Sequence, residues 1–270
     1  MLLAPSLLSP LASIFSPVIE AIGRRSIAAI EAVGRVGHFM GDMVRALVDI
    51  RVWAPLAIVQ MRRIGVDSIP VTLFIAAFTG VVLALQASYT FTGAVPLYFV
   101  GTLVGKTMML ELGPVICGLA LAGRVGASMA AELGTMKVTE QVDALETLAY
   151  DPQSYLVLPR VIAGTVMFPM IIAFAMATGI VTGWLTSLAL LDLSTPDFLK
   201  GLKLFYQFKD VWFGLFKSAT FGFTITAVGC IVGLATRGGA EGVGKSTTRA
   251  VVYSAVLILL LDAFWAVVLL

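Results

Sequence analysis

Residues 111–152 read ELGPVICGLALAGRVGASMAAELGTMKVTEQVDALETLAYDP, and their two halves call for different surroundings. Glu111 to Ala122 is apolar and built of small residues, suited to lipid. Residues 128–149 read as an amphipathic helix. Val138, Val142, Leu145 and Leu148 or Ala149 recur at steps of three to four, which places them on one stripe. Glu132, Glu140, Asp143 and Glu146 lie largely off that stripe. Across 128–151 five acids face one base, Lys137, a balance of −4. A helix lying on a membrane should be basic, because anionic headgroups repel acid. An acidic one suits docking into a basic groove of another protein. Glu132, Lys137, Glu140, Asp143 and Glu146 are therefore the candidate docking residues.

Composition places the whole chain in a membrane. Of its 270 residues 59% are hydrophobic and 13% charged, against about 25% charged in soluble domains. The net charge of +2 gives no case for nucleic acid. Cys117 and Cys230 both sit in apolar runs and read as inert small hydrophobes. One histidine, His38, cannot build a metal cluster, so no metal site is expected. Arg24 and Arg25 follow the apolar N-terminal run instead of preceding it, so no cleavable signal peptide is expected.

Five apolar stretches are long enough to cross the hydrocarbon. They are 69–91, 97–122, 155–191, 211–236 and 250–270. The third holds Pro159 and Pro169 without a polar turn, and reads as one long helix kinked near Pro169. The turn 92–96 joins the first two, and Thr195-Pro196-Asp197 opens a short helix in the 192–210 loop. Residues 18–49 carry Ile27, Ile30, Val33, Val36, Phe39, Met40, Met43, Val44 and Leu47 on one face, with arginines opposite. They are expected to form an amphipathic helix in the membrane interface. The chain thus divides into an interfacial segment, 1–67, and a five-span domain, 68–270. It is an all-α polytopic membrane protein with a helix on the cytoplasmic side between the second and third spans. With the N-terminus inside, all eleven arginines fall in 1–67, 123–160 and 237–249, as the positive-inside rule asks. The C-terminus is then outside.

Lys106, Glu111, Lys217 and Asp262 lie within spans, where an unpaired ion costs several kcal/mol. They form a candidate intramembrane charge network. Lys217 is expected to pair across helices with Asp262 or Glu111. Small residues after Glu111, Gly118 to Ala127, permit close helix packing. Residues 239–246, GAEGVGKS, formally match the phosphate-binding G-x-x-x-x-G-K-[ST] pattern. That pattern needs a strand before it and a helix after it within a soluble αβ unit. Here spans flank it, so it is read as a flexible basic loop. No catalytic residues are found.

The signature ELGPV followed by AGRVGASMAAELGTMKVTEQVDALETLAYDP strongly resembles the MlaE (YrbE) permeases, the membrane subunits of bacterial ABC transporters for phospholipids. Similarity runs from about residue 68 to the end, through LFKS (215–218), TTRAVV (247–252) and LLLD (259–262). The resemblance implies a homodimer in the bacterial inner membrane that maintains outer-membrane lipid asymmetry. It implies a separate cytoplasmic ATPase, holding the ATP and magnesium, docked on the coupling helix at about 128–149. It also implies a periplasmic MCE-domain subunit, a small STAS-type cytoplasmic subunit, and a lipid cavity between the first, second and fifth spans. Val82, Gln86, Tyr89, Leu110, Glu111 and Pro114 are the lipid-binding candidates it suggests. The family often carries arginine where this chain has Leu110, and Lys106 lies one turn earlier. The competing class is a stand-alone secondary transporter or channel that uses the intramembrane charges as an ion path.

Overall fold

A close crossing of two helices sets the middle of the molecule. A Cβ on Gly80 would run into the carbonyl oxygen of Gly179, so the two backbones touch there. Thr182 adds a hydrogen bond from Oγ1 to the carbonyl of Ala77 at 3.0 Å. In lipid, apolar side chains gain little from meeting each other, and helices associate through small residues and such bonds. The helices that meet are the first and third spans of the chain.

The computed structural model describes residues 9–91 and 95–269, and all regular structure among them is helical. The chain forms two compact units, Met1–Val48 and Asp49–Leu270. The first holds α1 (Ser9–Ala46). Ile27, Ile30 and Val33 on its apolar stripe are well exposed. The helix begins nine residues before the predicted start at 18.

The second unit holds α2 (Ile50–Gly65), α3 (Ile69–Thr90), and α4 to α6 at Phe99–Thr107, Gly113–Leu121 and Ala127–Val138. It continues with α7 (Gln141–Thr147), α8 (Leu158–Leu190), α9 (Thr195–Leu204), α10 (Phe208–Leu234) and α11 (Gly239–Leu269). Five helical stretches are long and apolar enough to span a membrane: Ile50–Thr90, Phe99–Val138, Gln153–Leu190, Phe208–Leu234 and Gly239–Val268. The five-span reading is the architecture observed. Thr92, Gly93 and Ala94 of the predicted turn, and residues 1–8, lie outside the described residues.

α8 is a single helix with Pro169 inside it. It packs on α2, α3 and α10 and forms the spine of the unit. The α8–α10 contact is as close as the first, for a Cβ on Gly164 would strike Thr226 and one on Gly222 the carbonyl of Gly164. Two apolar clusters fill the interior. One gathers Ala76, Val104, Met108, Ile172 and Phe198, the other Leu121, Met129, Phe168, Phe221, Ile225 and Ile258. α9 begins as its sequence announces: Ser194 caps it by accepting from the Asp197 N–H, and Pro196 stands in the first turn.

Three expectations are corrected. The second span does not stop at Ala122. It runs unbroken to Val138, with π-helical turns at Met108–Leu112 and Ala122–Gly126. The helix expected over 128–149 is therefore two pieces, α6 and α7. Thr139 leaves helical geometry and Glu140 takes a left-handed φ of 61°. Lastly, 237–249 is not a flexible loop. Gly238 and Gly239 make the turn with φ of 89° and 65°, and α11 starts at once, eleven residues before the expected Ala250. Glu241 and Lys245 pair one turn apart at 2.6 Å, and buried Ser246 meets Thr236 at 2.8 Å. The lysine of the phosphate-binding lookalike is thus on a helix flank, with no loop to wrap a phosphate.

α7 ends on a second left-handed residue, Ala149, at φ 60°. For a residue with a Cβ that conformation costs about 1–2 kcal/mol. Glycine lacks the clash but gains freedom when unfolded. Ala149→Gly is expected to raise stability by about 1 kcal/mol, read as a higher melting temperature in detergent.

Candidate functional site

Pro114 starts the site. It has no N–H and cannot bond the carbonyl four residues back, that of Leu110. The chain answers with a wide turn at Met108–Leu112, in which the Gly113 N–H reaches back to Met108 O. The freed Leu110 carbonyl accepts instead from Lys217 Nζ of α10 at 3.2 Å. The same ammonium donates to Glu111 Oε2 at 2.7 Å and pairs with Asp262 of α11. Lys217 is completely buried, while 43% of the Glu111 side chain and 23% of the Asp262 side chain remain exposed. One cation so ties the second, fourth and fifth spans. The ammonium hydrogen-bonds one carboxylate and a carbonyl and forms an ion pair with a second carboxylate, the company that a cation buried in an apolar setting requires. The Phe213 ring lies 5.7 Å from Nζ.

Lys106 does not join this cluster. It pairs with Asp210, at the start of α10, at 2.6 Å. Asp210 is nearly buried. The sequence placed Asp210 in a polar loop and gave no sign of this partnership across 104 residues.

An apolar groove of about 450 Å³ runs between α3 and α5, with Leu112, the chain neighbour of Glu111, in its wall. Phe74, Phe78, Val82 and Gln86 line it from α3, Leu112 and Ile116 from the second span. Of the lipid-binding candidates, Val82 and Gln86 are in the groove. Glu111 directly precedes Leu112 in the chain. Pro114 is buried in the interior, Leu110 is half-buried, and Tyr89 is 85% exposed beyond the groove's end. The groove residues Phe74, Phe78 and Ile116 were missed by sequence reasoning. Phe74 and Phe78 stand one turn apart, centroids 4.7 Å, and are well exposed, a pairing that the spacing alone allows but does not single out.

The docking candidates fall into two environments. Glu132 on α6 is held within the chain: Arg63 of α2 reaches Oε2 at 2.6 Å and Arg160 of α8 reaches Oε1 at 2.8 Å. Arg160 is almost buried and also donates to the Leu156 carbonyl at 2.6 Å. Lys137 and Asp143 pair at 2.5 Å across the break between α6 and α7. Glu140, Asp143 and Glu146 are exposed around α7, whose Val142 is buried and holds it to the unit.

Comparison with known proteins agrees with this architecture. Residues 57–268 match the family described as Permease MlaE. A "Probable ABC transporter permease protein" of Rickettsia felis is 40% identical over 243 residues, covering 90% of this chain and 94% of that protein. The "Intermembrane phospholipid transport system permease protein MlaE" of Haemophilus influenzae is 31% identical over 245 residues, with the same coverage. "Protein TRIGALACTOSYLDIACYLGLYCEROL 1, chloroplastic" of Arabidopsis thaliana is 36% identical over 203 residues, covering 75% of this chain and 58% of that protein. With five candidate spans and a family match over most of its length, this multi-pass membrane protein belongs to the MlaE permease family.

Proposed function

We propose that this permease is the membrane subunit of an ABC transporter that moves phospholipid between the inner and outer bacterial membranes and so serves outer-membrane lipid asymmetry. The observation that carries the reading is the 31% identity over 90% of the chain to a relative named for intermembrane phospholipid transport. The apolar groove beside a half-exposed glutamate supports it, since it offers acyl chains an apolar wall with a polar group at its flank. The lipid-contacting set is Val82, Gln86 and Glu111, with Phe74, Phe78 and Ile116 added; Tyr89 and Leu110 flank it, and buried Pro114 acts through the wide turn that it imposes. In this reading Glu111, Lys217 and Asp262 act as the intramembrane network, with Lys106 paired apart from it on Asp210, and Lys217 holds the spans in register.

ATP is hydrolysed in a separate cytoplasmic subunit that docks on α7 and the end of α6. Glu140, Asp143 and Glu146 meet it directly. Glu132 and Lys137 act from behind, through their own ion pairs. The chain works as a homodimer in the inner membrane, with the N-terminal segment, 1–67, in the cytoplasmic interface and the C-terminus in the periplasm. Only 11% of the apolar window of the fifth span is buried within the chain, which leaves a face for a second copy. A periplasmic MCE-domain subunit and a small STAS-type cytoplasmic subunit complete the assembly. An ion path of the secondary-transporter kind finds less support, because Lys106 and Lys217 are each already paired.

The test is co-purification after expression with the neighbouring genes, wild type beside Glu140→Lys/Asp143→Lys, with subunits and lipids read by mass spectrometry. The wild type is expected to bring an ATPase subunit and phospholipid. The charge reversal is expected to lose the ATPase and keep the lipid. A wild type that brings no ATPase would overturn the docking assignment.

A further inference from the structure

The two spans that form the apolar groove also form a second cleft, of about 160 Å³, between α2 and α6 at their arginine-rich ends. Gln60, Arg63 and Asp67 line it from one side, Arg124, Ser128 and Glu132 from the other. Glu132 and Arg63 are committed to each other and to Arg160. Arg124 and Asp67 are not. Among the described residues neither forms an ion pair, although they face one cleft. Arg124 donates to the Ser68 hydroxyl, a neutral partner, which uses little of a guanidinium with five N–H groups.

The two cavities lie along one seam. Asp67 is seven residues from Phe74 on one strand of it, and Arg124 eight from Ile116 on the other. At 1.5 Å per residue that separates the polar cleft from the near end of the groove by about 10–12 Å. A polar cleft holding a cation and an anion that are in no ion pair, on the same two spans as an apolar groove, has the division of a zwitterionic phospholipid. Building on the lipid-transport reading, we propose that this cleft seats the headgroup of a phospholipid bearing a primary ammonium. Its phosphate lies on Arg124, with Ser128 beside it. Its ammonium donates to Asp67 and to the Gln60 side-chain oxygen, and its chains follow the seam toward Val82. A quaternary ammonium has no N–H to give these acceptors, so phosphatidylethanolamine is favoured over phosphatidylcholine. An anionic lipid such as phosphatidylglycerol leaves Asp67 unmatched.

The test places a photo-crosslinking benzophenone residue at Ser128, and separately at Val82, in the full-length co-purified assembly. Each is reconstituted in nanodiscs of phosphatidylethanolamine with phosphatidylglycerol. Crosslinked lipid is identified by mass spectrometry. At Ser128 phosphatidylethanolamine is expected to exceed its bilayer share about tenfold, the worth of one charge-assisted hydrogen bond. Asp67→Asn, an exposed position that tolerates the change, is expected to bring the ratio back to the bilayer share while the Val82 crosslink persists. Millimolar inorganic phosphate is expected to leave the labelling unchanged. Labelling at Ser128 in bilayer proportion, an Asp67→Asn variant with unaltered preference, or displacement by inorganic phosphate would each overturn the headgroup assignment. If phospholipid is captured at Val82 but not at Ser128, this site fails and the transport reading stands. If it is captured at neither, the lipid reading itself fails and takes this one with it.

Discussion

Lys217→Met is expected to destabilise the protein by about 3–5 kcal/mol and to abolish lipid transfer. The ammonium is fully buried and holds Glu111, Asp262 and the Leu110 carbonyl at once. Removing one member of a buried ionic group leaves the others as uncompensated charge, and that, more than the lost attraction, sets the size of the effect. The triple variant Lys217→Met/Glu111→Gln/Asp262→Asn separates the two contributions. With no charge left to compensate, it is expected to regain most of the stability. Transfer is expected to stay lost, because the glutamate beside the groove is gone. Thermal unfolding in detergent reads the first quantity, and lipid exchange between reconstituted vesicles reads the second. A single variant as stable as the wild type would mean that the three spans are held together by packing and not by this cation.

Gly80→Ala is expected to fail where Gly123→Ala succeeds. A methyl on Gly80 would enter the Gly179 carbonyl and crowd the Thr182 hydroxyl that bonds Ala77. Neither backbone can turn away, so α3 and α8 must separate along their length. Overpacking costs about 1–3 kcal/mol where side chains can adjust, and more is expected where the obstacle is backbone. A methyl on Gly123 meets nothing. There alanine gains its helix propensity over glycine, about 1 kcal/mol. Yield of monodisperse protein and melting temperature distinguish the two. Equal behaviour of both variants would show that the α3–α8 crossing is looser than its geometry.

The contrast between these glycines shows where the sequence stopped being informative. Both stand in apolar spans among other small residues, and nothing near either tells which one touches a backbone. The spans themselves were legible because length and hydropathy are local properties, and the bilayer imposes them on every segment alike. The break at Glu140 was not, because TMKVTEQV holds neither proline nor glycine. The amphipathic stripe runs through it unbroken. The error at 239–249 went the other way. The spans on either side made it read as a loop, but Ser246 is buried against Thr236, and that contact outweighs local propensity. Glu132 looked like part of an acidic docking face. Its two arginines come from 69 residues before and 28 after, a distance no periodicity reaches. For Lys217, charge alone sufficed to name the partners, since a buried cation has few places to go. The carbonyl of Leu110 could have been added from Pro114 by the missing N–H.

The second span has mechanical consequences. Forty residues of helix from Phe99 to Val138 make a rod of about 60 Å, twice the hydrocarbon thickness. α6 is therefore an overhanging arm. It is clamped against α10 and α11, with Gly233 seated on Ala130 and Leu133. A force applied at its tip, where α7 begins, would travel along one continuous helix toward Glu111. The rod is not uniformly stiff. Its wide turns at 108–112 and 122–126 are the places where an α-helix has the least hydrogen-bond order to lose. Between them lies the segment Gly113–Leu121, which carries Ile116 at the groove wall. Torque delivered along the arm would be spent at those two joints, turning a nine-residue sleeve against the groove while both ends of the rod keep their seats.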